Sequence, residues 1–211
     1  MASDSTRKAT SSPPRSKAAL ILAPLGTLVI ALWLYYGYHH LPIHIPKFAT
    51  PSDQLIFALR WQLPSVGVMF FSVLNIMRLR EKHHAANPLR TANAAEELTV
   101  WRNFLANTAE QFLINTSHHL ILSTFLEGQQ LKIIPLLTAL WVVGRVAYVM
   151  KYLNPNDPDR AYRSFGFTLS GLPQPFMFGY CVYRLVTGVD EHVETISFDE
   201  WYRASISRDY S

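Results

Sequence analysis

Long apolar blocks separated by short polar connections constrain this chain more than any other feature. Five blocks cover residues 18–38, 55–77, 104–126, 133–152 and 165–183, and the first contains no charged residue. A helix of about 20 apolar residues crosses the roughly 30 Å hydrocarbon core of a bilayer. The 49% of hydrophobic residues is gathered into these blocks. The layout therefore predicts an all-α membrane protein with five spans.

The regions outside the blocks predict the domain boundaries and the topology. Residues 1–17, rich in Ser, Pro and basic residues, predict a disordered tail, and residues 189–211 form an acidic tail. Twelve Lys and Arg lie in the N-terminal tail and in the connections 78–102 and 151–163, against five in the other connections and the C-terminal tail. The positive-inside rule therefore predicts a cytoplasmic N-terminus and a lumenal or extracellular C-terminus.

Several classes of site are not indicated by the sequence. His39, His40 and His44 have no Cys or carboxylate at ligand spacing, so we predict no metal site. The single cysteine, Cys181, excludes an internal disulfide. The basic residues border the apolar blocks and form no patch interleaved with aromatic residues, which argues against a nucleic-acid partner.

The third apolar block is unusually polar. At helical spacing Asn103, Asn107 and Glu110 fall on one face, and lipid cannot surround a face that carries a carboxylate. That face must point towards other helices, an oligomer interface or a wet cavity. The fourth block carries the complementary charge, because Arg145 lies on a stripe with Trp141, Tyr148 and Tyr152.

Glu110 and Arg145 are predicted to pair. Measured from the cytoplasmic ends of their helices, Glu110 lies about 13 Å deep and Arg145 about 10 Å deep. Either charge alone would cost about 2.5–3.5 kcal/mol near a helix centre. The pair either staples two helices or belongs to a pocket for a small anionic ligand, with Tyr hydroxyls as donors. Three basic residues lie near the cytoplasmic end of the predicted pocket: Arg78, Arg80 and Arg163. They are consistent with binding of an anion there and equally with a role in setting the orientation of the helices in the membrane.

Three motifs, taken together, resemble the superfamily of membrane-associated proteins in eicosanoid and glutathione metabolism, MAPEG. The first is the basic run 78–82 followed by Asn87-Pro88. The second is the Asn-x-x-Glu of residues 107–110. The third is the Arg and Tyr pattern of residues 144–152 followed by Arg163-Ser164. The resemblance covers residues 55–188 and implies a MAPEG-type four-helix bundle at 54–188, preceded by one extra N-terminal transmembrane helix at 18–38.

The resemblance also implies a ligand and an assembly. It implies a homotrimer that binds glutathione at subunit interfaces near the cytoplasmic face, together with a lipophilic small molecule from the bilayer. The endoplasmic reticulum or another endomembrane is the implied location. Arg163 or Ser164 would stabilise the thiolate, Arg145 would support Glu110, and the candidate glutathione-binding residues are Arg78, Asn107, Glu110, Arg145, Tyr148 and Tyr152.

The chain departs from the family pattern in three places. Asn103 stands where the family often has Arg, Phe167 replaces a Tyr, and Arg160 leaves the arginine register before the fifth block ambiguous. The extra first span is similar to the mattrin-like branch of the family, for which the resemblance implies roles in membrane trafficking or receptor turnover. Two functions stay open: a glutathione-dependent transferase, peroxidase or isomerase, and a non-catalytic protein that works through protein or lipid contacts.

Overall fold

The computed structural model of the protein describes residues 17–48, 50–82, 96–152 and 161–188. Over these residues the chain forms helices and no strand, so the all-α prediction is confirmed. Of the two predicted tails, only Lys17 lies inside the described residues. The α-helices are α1 Lys17–His40, α2 Pro51–Arg60, α3 Leu63–Lys82, α4 Glu96–Phe125, α5 Ile133–Tyr152, α6 Ala161–Gly171 and α7 Pro173–Thr187, with a 3-10 helix at Gly128–Lys132.

The seven helices form five rods, because two pairs are consecutive and nearly continuous. A turn at residues 61–62 separates α2 from α3, just before Pro64, where the sequence predicts a kink. Leu172 separates α6 from α7, and its backbone N–H still donates to the Thr168 carbonyl at 3.0 Å. Proline lacks the N–H of the next helical hydrogen bond, and its ring crowds the preceding turn. Pro64 and Pro173 therefore bend their rods without ending them.

The second rod begins at a complete capping box. The Thr50 hydroxyl accepts a hydrogen bond from the Asp53 N–H at 3.3 Å, and the Asp53 carboxylate accepts one from the Thr50 N–H at 3.0 Å. Pro51 occupies the first helical turn, where its missing N–H has no helical partner to lose. These three residues fix the start of α2.

The first helix is docked against the rest of the bundle. The Trp33 indole N–H donates to the Leu136 carbonyl on α5 at 3.0 Å. A Cβ added at Gly37 would lie 2.6 Å from Leu136 Cδ2, and one at Gly26 would lie 2.9 Å from Thr168 Cγ2 on α6. Glycines allow this close approach because they carry no side chain. The helix that precedes the four-helix region is thus an integral part of its packing.

The backbones of α5 and α6 approach each other closely where the two helices cross. A Cβ added at Gly144 would lie 2.8 Å from the Ser170 backbone nitrogen, and one at Gly166 would lie 2.6 Å from the Tyr148 backbone nitrogen. Both obstacles are backbone atoms, which cannot move aside as a flexible side chain can. The two glycines therefore set the distance between these helices.

The outer faces of α3 and α7 are largely apolar. Exposed large side chains include Phe70 and Phe71 on α3 and Phe176, Leu185 and Val186 on α7. A water-soluble protein rarely exposes so much contiguous apolar surface, whereas a lipid-facing surface is expected to be apolar. Within the described residues, Pro51–Lys82 and Gly128–Met150 are helical, long and apolar enough to cross a bilayer. The number of spans and their orientation stay predictions.

Candidate functional site

Arg145 lies at the centre of the predicted site and is completely buried. It follows Gly144, the α5 residue whose backbone meets α6. The close crossing holds this part of α5 inside the bundle, so the guanidinium cannot reach the outer surface. A buried charge must then find its partners among the neighbouring helices.

The guanidinium donates hydrogen bonds to three side chains of α4. Nη1 donates to Gln111 Oε1 at 2.7 Å, and Nη2 donates to Asn107 Oδ1 at 2.8 Å and to Thr108 Oγ1 at 3.0 Å. The Ser170 hydroxyl of α6 lies 3.3 Å from the same Gln111 oxygen. We call these five residues the arginine cluster, which joins α4, α5 and α6. The Arg145 Nε has no hydrogen-bond partner among the described residues.

Two aromatic rings flank the guanidinium. Its central carbon lies 4.6 Å from the ring centroid of Tyr148 and 5.5 Å from that of Phe104. The two ring planes are inclined by only 23°, with centroids 6.0 Å apart. A cation above an aromatic face is attracted by the negative face of the ring, by up to about 2 kcal/mol when it is desolvated. The rings thus offset part of the cost of burying a charge whose hydrogen-bond partners are neutral.

The predicted pairing of Glu110 with Arg145 is wrong. Glu110 is exposed, and the salt bridge is absent from the interactions of the described residues. With 3.6 residues per turn, the Glu110 side chain points roughly 100° away from the mean direction of Asn107, Thr108 and Gln111. The carboxylate therefore lies on a different face of α4 from the one that contacts α5.

The other predicted site residues are distributed as follows. Asn107 and Tyr148, two of the candidate glutathione-binding residues, both contact Arg145, and their binding of glutathione stays a prediction. Arg78 is exposed on α3, and no described contact joins it to the arginine cluster. Ser164 is half-buried on α6, where its carbonyl accepts a hydrogen bond from the Thr168 hydroxyl at 2.8 Å. The side chains of Tyr152 and Arg163 lie outside the described residues. The whole of Arg160 lies outside them as well.

A second polar cluster lies further along α4. His119 is completely buried, and its Nδ1 lies 2.7 Å from Gln62 Nε2, at the bend between α2 and α3. Asn115 Oδ1 accepts a hydrogen bond from Gln174 Nε2 on α7 at 2.7 Å, and Gln174 Oε1 lies 2.8 Å from His118 Nδ1. Polar side chains of α4 thus fasten both bent rods. Over the described residues no group of three His, Cys, Asp or Glu could hold a metal ion.

Sequence reasoning missed Thr108, Gln111 and Ser170. A signal for Gln111 was present, because Asn103, Asn107, Gln111 and Asn115 recur every four residues. That stripe differs by one position from the stripe that contains Glu110, and a carboxylate is the more obvious partner for an arginine. Ser170 could not be found in this way, because its position depends on the crossing of α5 and α6.

Comparison of the sequence with known proteins identifies its family. The family model described as "MAPEG family" matches residues 59–183, more than half of the chain. The chain is 30% identical over 181 residues to transmembrane protein 79 of Bos taurus. This alignment covers 85% of this chain and 42% of that protein. It is 28% identical over 185 residues to transmembrane protein 79 of Mus musculus, with 87% and 46% covered.

The chain spans less than half the length of these relatives. No solved structure matches it. The matched residues begin in α2 and end in α7, so they contain both polar clusters of α4 and exclude α1. The chain is a membrane protein and belongs to the MAPEG family.

Proposed function

We propose that this chain is a non-catalytic MAPEG protein that acts through contacts with other membrane proteins or with lipids, in membrane trafficking or receptor turnover. Its relatives carry names that describe a membrane protein and no reaction. The family resemblance of the extra first helix points to the same branch. The proposed location is the endoplasmic reticulum or another endomembrane, with the N-terminus in the cytoplasm.

The main support for the proposal is that Arg145 makes its hydrogen bonds to side chains of its own chain. A glutathione site built on Asn107, Arg145 and Tyr148 needs their polar groups to face a ligand. Instead, both terminal nitrogens of Arg145 bind α4, Asn107 accepts one of these hydrogen bonds, and the ring of Tyr148 lies against the guanidinium. An arrangement of this kind stabilises the association of helices. It leaves these groups little capacity to bind a peptide.

A glutathione titration of the purified protein tests the proposal. Binding is followed by calorimetry and the thiolate by its ultraviolet absorbance, at glutathione concentrations up to the millimolar range. We expect no saturable binding and no thiolate signal. Thiolate formation that is lost in Arg78→Gln and retained in Lys82→Gln, a neighbouring exposed change, would contradict the proposal.

A second candidate, a glutathione-dependent transferase, peroxidase or isomerase, is favoured by one observation. Glu110 and Arg78 are exposed in the single chain, which is where a neighbouring subunit of a homotrimer would complete a site. In that case glutathione would arrive from the cytoplasm and a lipophilic substrate from the bilayer, and Arg163 or Ser164 would stabilise the thiolate. The same titration separates the two candidates, because only this one requires a thiolate.

A further inference from the structure

Beside the direct contacts of α1 with α5 and α6, an open cavity of about 470 Å³ lies between α1 and the helices α4, α5 and α7. Ile30 and Leu34 of α1 line one side, and Leu122 of α4, Leu137 of α5 and Met177 of α7 line the other. Its volume lies within the range of small-molecule sites. Since α1 forms one wall, a bundle made of the matched family region alone would not contain this cavity.

The polar groups of the cavity are concentrated at one end. Tyr38 lies near the end of α1, Gln130 lies in the 3-10 helix before α5, and Tyr180 lies at the middle of α7, next to Cys181, which packs in one apolar cluster with Leu131. The end of α1, the beginning of α5 and the end of α7 meet on the same side of the bundle. Apart from Thr27, the remaining lining is apolar, and among the residues that the structure describes no Lys, Arg, Asp or Glu lines the cavity. A ligand that fits has an apolar body and an uncharged polar head.

The length of the cavity corresponds to one leaflet of a bilayer. Thr27 and Tyr38 both line it and are eleven residues apart on α1, which corresponds to about 16 Å along the helix. Half of a hydrocarbon core is about 15 Å. Ala31 and Phe176 line the cavity and are themselves exposed on the outer surface. A lipid can therefore enter sideways from the membrane without crossing a polar surface.

We infer that this cavity binds a neutral lipid with a single hydroxyl head, of the sterol class, with the hydroxyl among Tyr38, Gln130 and Tyr180. The aromatic side chains of Tyr38, Phe176 and Tyr180 suit the flat ring system of such a lipid. A phospholipid fits less well, because a buried phosphate would have no cationic partner in the lining. This inference holds for either candidate function, because the cavity shares no residue with the arginine cluster.

Photolabelling of the full chain in membranes tests the inference. The probe is a cholesterol analogue that carries a diazirine, and unlabelled cholesterol or phosphatidylcholine is the competitor. We expect saturable labelling that cholesterol suppresses and phosphatidylcholine does not, with labelled peptides from α1 and α7. Labelling that both lipids suppress equally, or that maps to α3 instead, would overturn the inference.

Two pairs of variants make the test specific. Ala31→Phe places a ring at the cavity and should reduce labelling by about fivefold, whereas Leu28→Phe, on an exposed position of the same helix that does not line the cavity, should not. Tyr38→Phe removes one hydroxyl and should weaken competition by cholesterol by about fivefold, and Tyr36→Phe should not. Equal labelling in Ala31→Phe and wild type would overturn the inference. Wild-type labelled peptides from α1 and α7 test it even if Ala31→Phe does not fold.

Discussion

The partners of Arg145 explain how a charge is held inside this bundle without a carboxylate. Amide and hydroxyl oxygens accept its hydrogen bonds, and two aromatic faces attract its charge. In a bilayer, neutral acceptors have an advantage, because α4 can cross the membrane before α5 without carrying a second buried ion on this face. Glu110 is left free to face another molecule.

The first prediction compares Arg145 with Glu110. Arg145→Met removes three interhelical hydrogen bonds, at about 0.6 kcal/mol each in membranes, so we expect a loss of about 2 kcal/mol in the free energy of unfolding. Glu110→Gln changes an exposed group and should stay within about 0.5 kcal/mol. Unfolding in mixed micelles, followed by circular dichroism, measures both. If Glu110→Gln destabilised the protein as much as Arg145→Met, the result would support the ion pair between Glu110 and Arg145 instead.

The second prediction concerns the coupling between Arg145 and Gln111. A double-mutant cycle with Arg145→Met and Gln111→Leu should show a coupling free energy of about 0.6–1.7 kcal/mol, because the single changes remove the same hydrogen bond. The matched cycle with Glu110→Leu should show none. Additive effects of Gln111→Leu and Arg145→Met would contradict the contact between them.

The sequence indicated that α4 carries a polar face and that Arg145 contacts this face. It predicted Glu110 as the partner, whereas the structure shows the next residue, Gln111. Residues 110 and 111 are both within helical reach of Asn107, so spacing alone does not select one of them. The selection is made by the rotation of α4 about its axis, which depends on packing by residues such as Phe104 and Trp141. This rotation is a property of the tertiary structure, so the local spacing of residues does not determine it.

At the scale of the elements, the crossing of α5 and α6 positions the arginine cluster. Gly144 and Gly166 bring two backbones together, and Arg145 and Ser170 lie directly beside this contact. The strict need for glycine at both positions was not visible from the sequence, because isolated glycines in apolar helices have several uses. The bend near Pro64 was easier to predict, since proline acts through its own covalent structure.

The third prediction tests this crossing. Gly166→Ala places a methyl group 2.6 Å from the Tyr148 backbone nitrogen, so the helices must separate, and we expect a loss of about 1–3 kcal/mol in stability. Gly179→Ala is the matched control on α7, where nothing lies within 4 Å of the added carbon. It should be neutral or stabilise by up to about 1 kcal/mol. Thermal unfolding in detergent compares the two, and equal melting temperatures would contradict the close crossing.

At the scale of the whole molecule, one face of α4 has no partner within the described chain. Exposed residues recur along this face at helical spacing, and five of the eight are small or polar: Asn103, Ala106, Glu110, Leu113, Ile114, Ser117, Ile121 and Thr124. Small and polar residues are typical of helix contacts in membranes. We therefore expect this face to lie between subunits, in keeping with the homotrimer that the family resemblance implies.

The fourth prediction tests this assembly by cysteine crosslinking. In a Cys181→Ser background, Ser117→Cys supplies one thiol per chain. It should therefore form disulfide-linked dimers in native membranes, because one thiol can join only two subunits. Val186→Cys, which is 77% exposed on α7, should stay monomeric if that face contacts lipid. A Ser117→Cys protein that stays monomeric, or equal crosslinking at both positions, would contradict an interface on α4.

The contact between α1 and α6 has a consequence for biosynthesis. It joins Gly26, near the beginning of the chain, to Thr168, more than 140 residues later, so the ribosome delivers the two surfaces far apart in time. Until α6 has been made, α1 can form its contacts with α5 at Trp33 and Gly37 but not its contact with α6. A product truncated before α6 would leave the surface around Gly26 uncovered, and the cell's quality control of membrane proteins would have an accessible sign of an incomplete chain to recognise.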